Sequence, residues 1–109
     1  MDETIFWRQY PDVPQILIAF AVAAEDNVFD DRTIIYGDWF DKSYGSECYG
    51  RFRMQIKEIL RLPEFPWDPI SSIANRYFPD EQSCHEWLVR VFALMEERVR
   101  SKKPGDEIR

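Results

Sequence analysis

The sequence predicts a mainly α-helical fold, a compact bundle of about four helices around a buried apolar helix at residues 13–26. The chain has 109 residues, the usual length of one domain. Its composition, 45% hydrophobic and 16% aromatic, is typical of a folded globule. Long stretches also space their apolar residues three and four apart, which is the helical period. We therefore expect a single domain over residues 1–109, with a frayed tail at 104–109.

The central helix is expected to begin at Val13, with Asp12 as its N-cap and Pro14 in its first turn. Its body, QILIAFAVAAED, is apolar on every side, so other elements should enclose it on more than one face. Residues 27–44 lack a helical period, and Asp30 and Asp31 suit a turn between two runs of β-branched and aromatic residues. We predict either a short β-hairpin or an irregular loop with one helical turn here; the hairpin would make a small α+β fold.

Three further helices complete the predicted bundle. One begins at Glu47 and ends at Pro63, and a short one starts at Pro69 with Tyr77 on its inner side. The last helix, capped by Asp80, has a wide apolar stripe, with acidic residues in its first turns and basic residues near its end. The stripe comprises Cys84, Trp87, Leu88, Val91, Phe92, Met95 and Val99.

Catalytic and metal-binding patterns are weak in this chain. Cys84 and His85 are adjacent, and neighbours on a helix point about 100° apart, so they suit a buried cysteine beside a surface histidine better than a catalytic dyad. The acidic residues between 30 and 47 do not follow the ligand spacing of a calcium loop. We expect no enzyme activity, no cofactor and no bound metal.

The sequence favours a cytoplasmic location. Cys48 and Cys84 each fall where a helical stripe takes a small buried residue, which indicates free thiols in a reducing compartment. The N-terminus lacks the basic and apolar parts of a secretory signal. The longest apolar run has nine residues, whereas a membrane-spanning helix requires about 20.

Charge is concentrated in one segment of the chain. Residues 25–47 contain seven acidic residues against two basic ones, with five aromatics between them, within a net charge of −6. These aromatics either anchor a loop to the core beneath solvated carboxylates, or form an interface whose acidic groups select a basic partner. The partner-binding residues predicted by the second interpretation are Asp30, Asp31, Tyr36, Asp38, Trp39, Asp41, Tyr44 and Glu47.

The predicted function is a small acidic protein-binding module, an inhibitor or immunity-type antagonist that covers a basic, nucleic-acid-handling protein such as a nuclease toxin or a nuclease effector complex. An acidic face repels nucleic acid and anionic membranes, so neither is expected to bind directly. The basic ridge of Arg53, Lys57 and Arg61 is interpreted as a solvated helix face. The alternative is a helical adaptor or oligomer subunit that docks through its last helix, with contacts at Trp87, Leu94 and Arg98.

Overall fold

The computed structural model describes residues 1–37 and 46–101, and the side chains of 1–37 and 49–100. Over these residues the regular secondary structure is entirely helical, which confirms the mainly α class. The six helices are α1 (Glu3–Gln9), α2 (Val13–Glu25), α3 (Asp31–Ile35), α4 (Ser46–Leu60), α5 (Trp67–Ala74) and α6 (Glu81–Ser101). The predicted hairpin is wrong where it is described, because α3 occupies its centre. Residues 38–45 and the tail at 104–109 lie outside the described residues.

Helix α1 was not predicted, although the sequence contains its signals. The Asp2 carboxylate accepts a hydrogen bond from the Ile5 N–H at 2.8 Å and so caps the helix. Phe6 is fully buried, and its ring lies 5.6 Å from that of Tyr10, one turn later. Burial, together with a hydrogen bond to Glu58, raises the pKa of Tyr10 to about 12. The first helix therefore packs on the core through Phe6 and Tyr10.

Helix α2 lies at the centre of the bundle and packs against α3, α4 and α5. It is nevertheless enclosed only in part, because Ile18 is 41% and Val22 54% exposed. Its buried face comprises Val13, Pro14, Ile16, Leu17 and Phe20. The prediction of an apolar central helix is thus correct in position, while one side of that helix remains open to solvent.

Asp12 does not cap α2, contrary to the prediction. Its backbone is in the helical region, with φ −88° and ψ −27°, and its side chain makes no capping hydrogen bond. The carboxylate instead accepts from Gln55 Nε2 at 2.8 Å and pairs with Arg51 Nε at 3.3 Å. The Asp12 N–H in turn donates to Gln55 Oε1 at 3.0 Å. A tertiary partner on α4 therefore replaces the local cap.

Helices α4 and α6 are joined by aromatic and charged side chains. The Tyr49 hydroxyl donates to Glu96 Oε2 at 2.5 Å, and burial is the main reason that the pKa of Tyr49 is raised. Arg53 Nε lies 3.1 Å from Glu96 Oε1. The other two residues of the basic ridge, Lys57 and Arg61, are exposed. Two residues of the ridge thus lie in solvent, and the third belongs to the contact with α6.

The ends of α5 and α6 differ in how well they were predicted. Asp80 caps α6 as expected, accepting from the Ser83 N–H at 2.8 Å, and this bond lowers the pKa of Asp80. Helix α5 ends early because Asn75 adopts the left-handed conformation, with φ 53°. The helical period stops there, so Tyr77 is exposed and Phe78 is buried. The predicted inward position of Tyr77 is therefore wrong.

The orientation of α2 predicts opposite outcomes for two neighbouring isoleucines. Ile16 is 1% exposed and Ile18 is 41% exposed. Ile16→Ala should lower the free energy of unfolding by about 2–4 kcal/mol, because it opens a cavity in the core. Ile18→Ala, the matched control, should change it by less than about 1 kcal/mol. Urea unfolding followed by circular dichroism measures both; equal losses would contradict this orientation.

Cys84 should be chemically inert in the folded protein. It is a free thiol inside the core, and burial, helped by the charge of Glu81, raises its pKa to about 12. At pH 8 the reactive thiolate is then scarce and inaccessible. Alkylation followed by mass spectrometry of the Cys84 peptide should show labelling only in denaturant. Rapid labelling of the native protein would contradict the buried position.

Candidate protein-binding surface

Asp31 is engaged inside the molecule. Its Oδ2 accepts a hydrogen bond from the Trp87 indole Nε1 at 3.0 Å. Its Oδ1 lies 2.9 Å from Arg76 Nη1, an ion pair whose side chains are only 19% and 14% exposed. Through these contacts Asp31 connects α3 to α6 and to the segment that follows α5. The arrangement gives this acid a structural role, whereas both interpretations of the acidic segment placed its carboxylates on the outside.

Arg76 completes this buried network. Its guanidinium carbon lies 5.6 Å from the ring centroid of Phe20, 5.9 Å from that of Phe29 and 5.3 Å from that of Trp87. Its Nη2 also donates to the Phe29 carbonyl at 3.3 Å. A cation over an aromatic face gains roughly 0.5–2 kcal/mol, with the larger values where water is excluded. Arg76 thus holds the connection between α2 and α3 against the core.

Tyr36 is also engaged within the chain. Its hydroxyl donates to Glu97 Oε2 at 2.5 Å, and Arg32 Nη1 lies 2.7 Å from the same oxygen. The guanidinium groups of Arg32 and Arg98 lie 5.4 Å and 5.1 Å from the Tyr36 ring centroid. The bond to Glu97 raises the pKa of Tyr36, and the bonds from Tyr36 and Arg32 lower the pKa of Glu97. Tyr36 therefore connects the end of α3 to α6 through its hydrogen bond to Glu97.

Of the two predicted acids whose side chains the structure describes, Asp30 faces solvent. It stands at the N-cap position of α3, and its carboxylate accepts from Thr33 Oγ1 at 2.5 Å. The structure therefore separates two adjacent acids, Asp30 outward and Asp31 inward. The remaining predicted residues lie outside the described residues or, for Glu47, belong to the backbone of α4 without a described side chain. These are Asp38, Trp39, Asp41, Tyr44 and Glu47, and they stay predictions.

The open side of α2 forms a groove that the sequence analysis missed. Gln15, Ile18, Val22 and Glu25 follow one another at three- and four-residue steps, so they share one face of the helix. With α3 and the intervening connection this face bounds a groove of about 430 Å³. Its apolar lining comprises Ile18, Ala19, Val22, Ala23, Val28 and Ile34. A helix that is apolar all round predicts enclosure, which is why this open face was not foreseen.

One end of the groove is acidic. Asp26 lines it, Glu25 continues the exposed stripe of α2, and Asp30 is bonded to the lining residue Thr33. All three carboxylates are exposed, and within the described part of the chain none of them forms an ion pair. We call Glu25, Asp26 and Asp30 the acidic rim.

The acidic rim opposes the dipole of α2. The C-terminal end of a helix carries partial negative charge, and acids there are disfavoured by roughly 0.3–1 kcal/mol. Glu25 and Asp26 occupy this end, and the last turn of α2 contains no basic residue. A local preference broken without a compensating contact is typical of sites that serve function. The rim and the apolar groove together are therefore the candidate binding surface.

Cys84 and His85 are used in packing. The Cys84 side chain is fully buried. The His85 ring packs against Phe65 at 4.8 Å between centroids, and its Nε2 lies 3.4 Å from the Leu60 carbonyl oxygen. Among the side chains that are described, no three His, Cys, Asp or Glu residues are grouped so as to hold a metal ion. Of the helices described, none has the length and apolarity required to cross a bilayer.

The adjacent acids Asp30 and Asp31 form a matched test of the buried network. Asp31→Asn leaves the Arg76 guanidinium without its anion, so we expect the free energy of unfolding to fall by about 3 kcal/mol. Asp30→Asn retains a good capping residue and should cost less than about 0.5 kcal/mol. Thermal and urea unfolding measure both variants. Equal stabilities would show that Asp31 has no structural role.

No protein-family model matches this chain. Neither a curated protein nor a solved structure matches it. The features of this chain that point to a function are the groove, the acidic rim and the charges of the described residues.

Proposed function

We propose that this chain is a small acidic protein-binding module of the cytoplasm. It would act as an inhibitor or immunity-type antagonist that covers a basic, nucleic-acid-handling protein, such as a nuclease toxin or a nuclease effector complex. The observation that carries the proposal is the pairing of an open apolar groove with three exposed carboxylates that form no ion pair within the described ranges 1–37 and 49–100. Interfaces commonly combine an apolar centre with a charged rim of this kind.

The charge of the rim determines the class of partner. Like charges around an apolar patch exclude acidic partners and accelerate encounter with basic ones. Proteins that bind nucleic acid collect lysine and arginine where the phosphates lie. A chain of net charge −6 that covers such a surface would compete with the nucleic acid for the same cations. Inhibition by occlusion requires no catalytic group, in keeping with the structural use of Cys84 and His85.

The proposed binding surface differs in part from the predicted residue set. Asp30 belongs to it, whereas Asp31 and Tyr36 stabilise the fold through Arg76, Trp87 and Glu97. The groove adds Ile18, Val22, Glu25 and Asp26, which were not predicted. Gly37 lines the groove, so the predicted residues between 38 and 47 follow it directly in sequence. Those residues remain proposed contributors: Asp38, Trp39, Asp41, Tyr44 and Glu47.

The adaptor alternative has less support from the geometry. Trp87 is 2% and Arg98 8% exposed, and Leu94 packs against the core. Trp87 also donates its indole N–H to Asp31. Docking through these three side chains would require α6 to leave the bundle. The observation favours the groove and the acidic rim over the last helix as the surface for a partner.

The test compares two variants that each remove three negative charges. Glu25→Gln/Asp26→Asn/Asp30→Asn neutralises the acidic rim, and Glu64→Gln/Asp68→Asn/Glu86→Gln is the control at exposed positions elsewhere. Affinity capture from source-cell lysate, with low-salt and high-salt washes, should identify a basic nucleic-acid-handling protein that salt releases. The rim variant should bind it at least ~10-fold more weakly, a loss of about 1.4 kcal/mol, and the control less than about twofold.

Activity of the captured protein provides the second readout. If it is a nuclease, the wild-type chain should inhibit cleavage and the rim variant should require a correspondingly higher concentration. A partner whose binding is indifferent both to salt and to the rim variant would contradict the proposal. Recovery of the chain alone, as an oligomer sensitive to changes in α6, would instead favour the adaptor.

A further inference from the structure

We infer that the groove between α2 and α3 receives an amphipathic helix of the partner, with its apolar face along α2 and lysine or arginine at the end that meets the acidic rim. This inference rests on the proposed function, since it specifies how the same surface would recognise a basic protein. It adds the secondary structure of the bound segment and the position of its charges.

The shape of the groove favours a helix. From Gln15 to Glu25 the exposed stripe of α2 rises about 15 Å, at 1.5 Å per residue. A second helix laid along it would place apolar side chains at i, i+3 or i+4, and i+7 along this stripe, in contact with Ile18 and Val22. An extended peptide normally gains its affinity from the free backbone groups of a sheet edge. The described lining of this groove consists of two helices and the connection between them and contains no strand, so it provides no such edge.

The size of the groove fits a few side chains. Its volume of about 430 Å³ falls within the roughly 300–1,000 Å³ of pockets that enclose a compact ligand. Ile34, 5% exposed, lies among the lining residues beside the half-exposed Ile18 and Val22. Covering an exposed aliphatic side chain of this kind contributes about 1 kcal/mol. The apolar contact would provide most of the affinity, and the acidic rim would make binding selective for basic segments.

Charge is distributed unequally along the groove. The end nearest the C-terminus of α2 has Glu25, Asp26 and Asp30, reinforced by the negative end of the helix dipole. At the other end Gln15 is neutral, and Asp12 is already bonded to Arg51 and Gln55. The charges of the described residues therefore favour the cations of a bound helix at the end formed by the acidic rim. This asymmetry distinguishes the inference from a general attraction between an acidic and a basic protein.

The probe is a designed helical peptide of 18 residues with leucine at i, i+3, i+4 and i+7 and three lysines clustered at one end. A matched peptide has glutamate in place of the lysines. Titration of the full ¹⁵N-labelled chain should shift the amide signals of Ile18, Val22 and Ile34. The lysine peptide should bind at least ~10-fold more tightly than the glutamate peptide, a difference of about 1.4 kcal/mol.

Substitutions locate the bound peptide. Ile18→Asp/Val22→Asp should weaken binding at least ~10-fold, whereas Met54→Asp, at a position 74% exposed on α4, is the control and should change it less than twofold. If the aspartate pair disturbs the circular dichroism spectrum, Ile18→Gln/Val22→Gln replaces it. Equal binding of the two peptides, or the absence of shifts at the groove up to millimolar peptide, would overturn the inference.

Two further measurements separate this inference from the proposed function. Suppose that the rim variant captures less of a basic partner than the wild-type chain does, whereas the variant changed at Ile18 and Val22 captures as much. The inference then fails while the proposed function stands. If capture is indifferent to the rim, both fail. Sedimentation equilibrium tests a second copy as occupant: a wild-type dimer that becomes monomeric on substitution of Ile18 and Val22 would also overturn the inference.

Discussion

The fold depends on one partly buried cation, the guanidinium of Arg76. It lies against rings from α2, from the connection before α3 and from α6, and it pairs with the first residue of α3. A charge removed from water is tolerable only when it is paired, and Asp31 supplies the pair. Helix α3 has five residues and would not be stable alone. Its position therefore depends on this ion pair, on the Trp87 indole and on the links from Tyr36 and Arg32 to Glu97.

Adjacent residues of the acidic segment consequently have different roles, one inside the fold and one at the surface. Asp31 neutralises Arg76 inside the molecule, while the carboxylate of Asp30, one residue earlier, accepts a hydrogen bond from Thr33 and faces solvent. The inward acid positions α3, and α3 forms one wall of the groove whose rim contains the outward acids. Stability and the proposed recognition are thus linked, since the same short helix places Ile34 in the groove and is followed directly by Tyr36, which bonds to α6.

How far the sequence predicts this structure varies from element to element. Helices α4 and α6 were predictable because their apolar residues recur along one face and the cap of α6 is local. The open face of α2 was not, since uniform apolarity contains no information about which side neighbours cover. Asp30 and Asp31 have the same chemistry, and only Arg76 and Trp87, 45 and 56 residues away from Asp31 in the chain, distinguish them. Asp12 similarly lost its local cap to Gln55.

The residues that line the groove are different from the buried residues that hold the helices in place, and this affects how such a protein can diversify. Ile18 and Val22 are held by a helix whose opposite face is buried, so their exchange changes what the groove contacts and leaves the core intact. Surface substitutions of this kind usually alter stability by less than about 0.5 kcal/mol. Arg76, Asp31 and Trp87, by contrast, cannot vary independently of one another. Descendants of this chain can therefore acquire new partner preferences at a few solvent-facing positions while they inherit one unchanged scaffold.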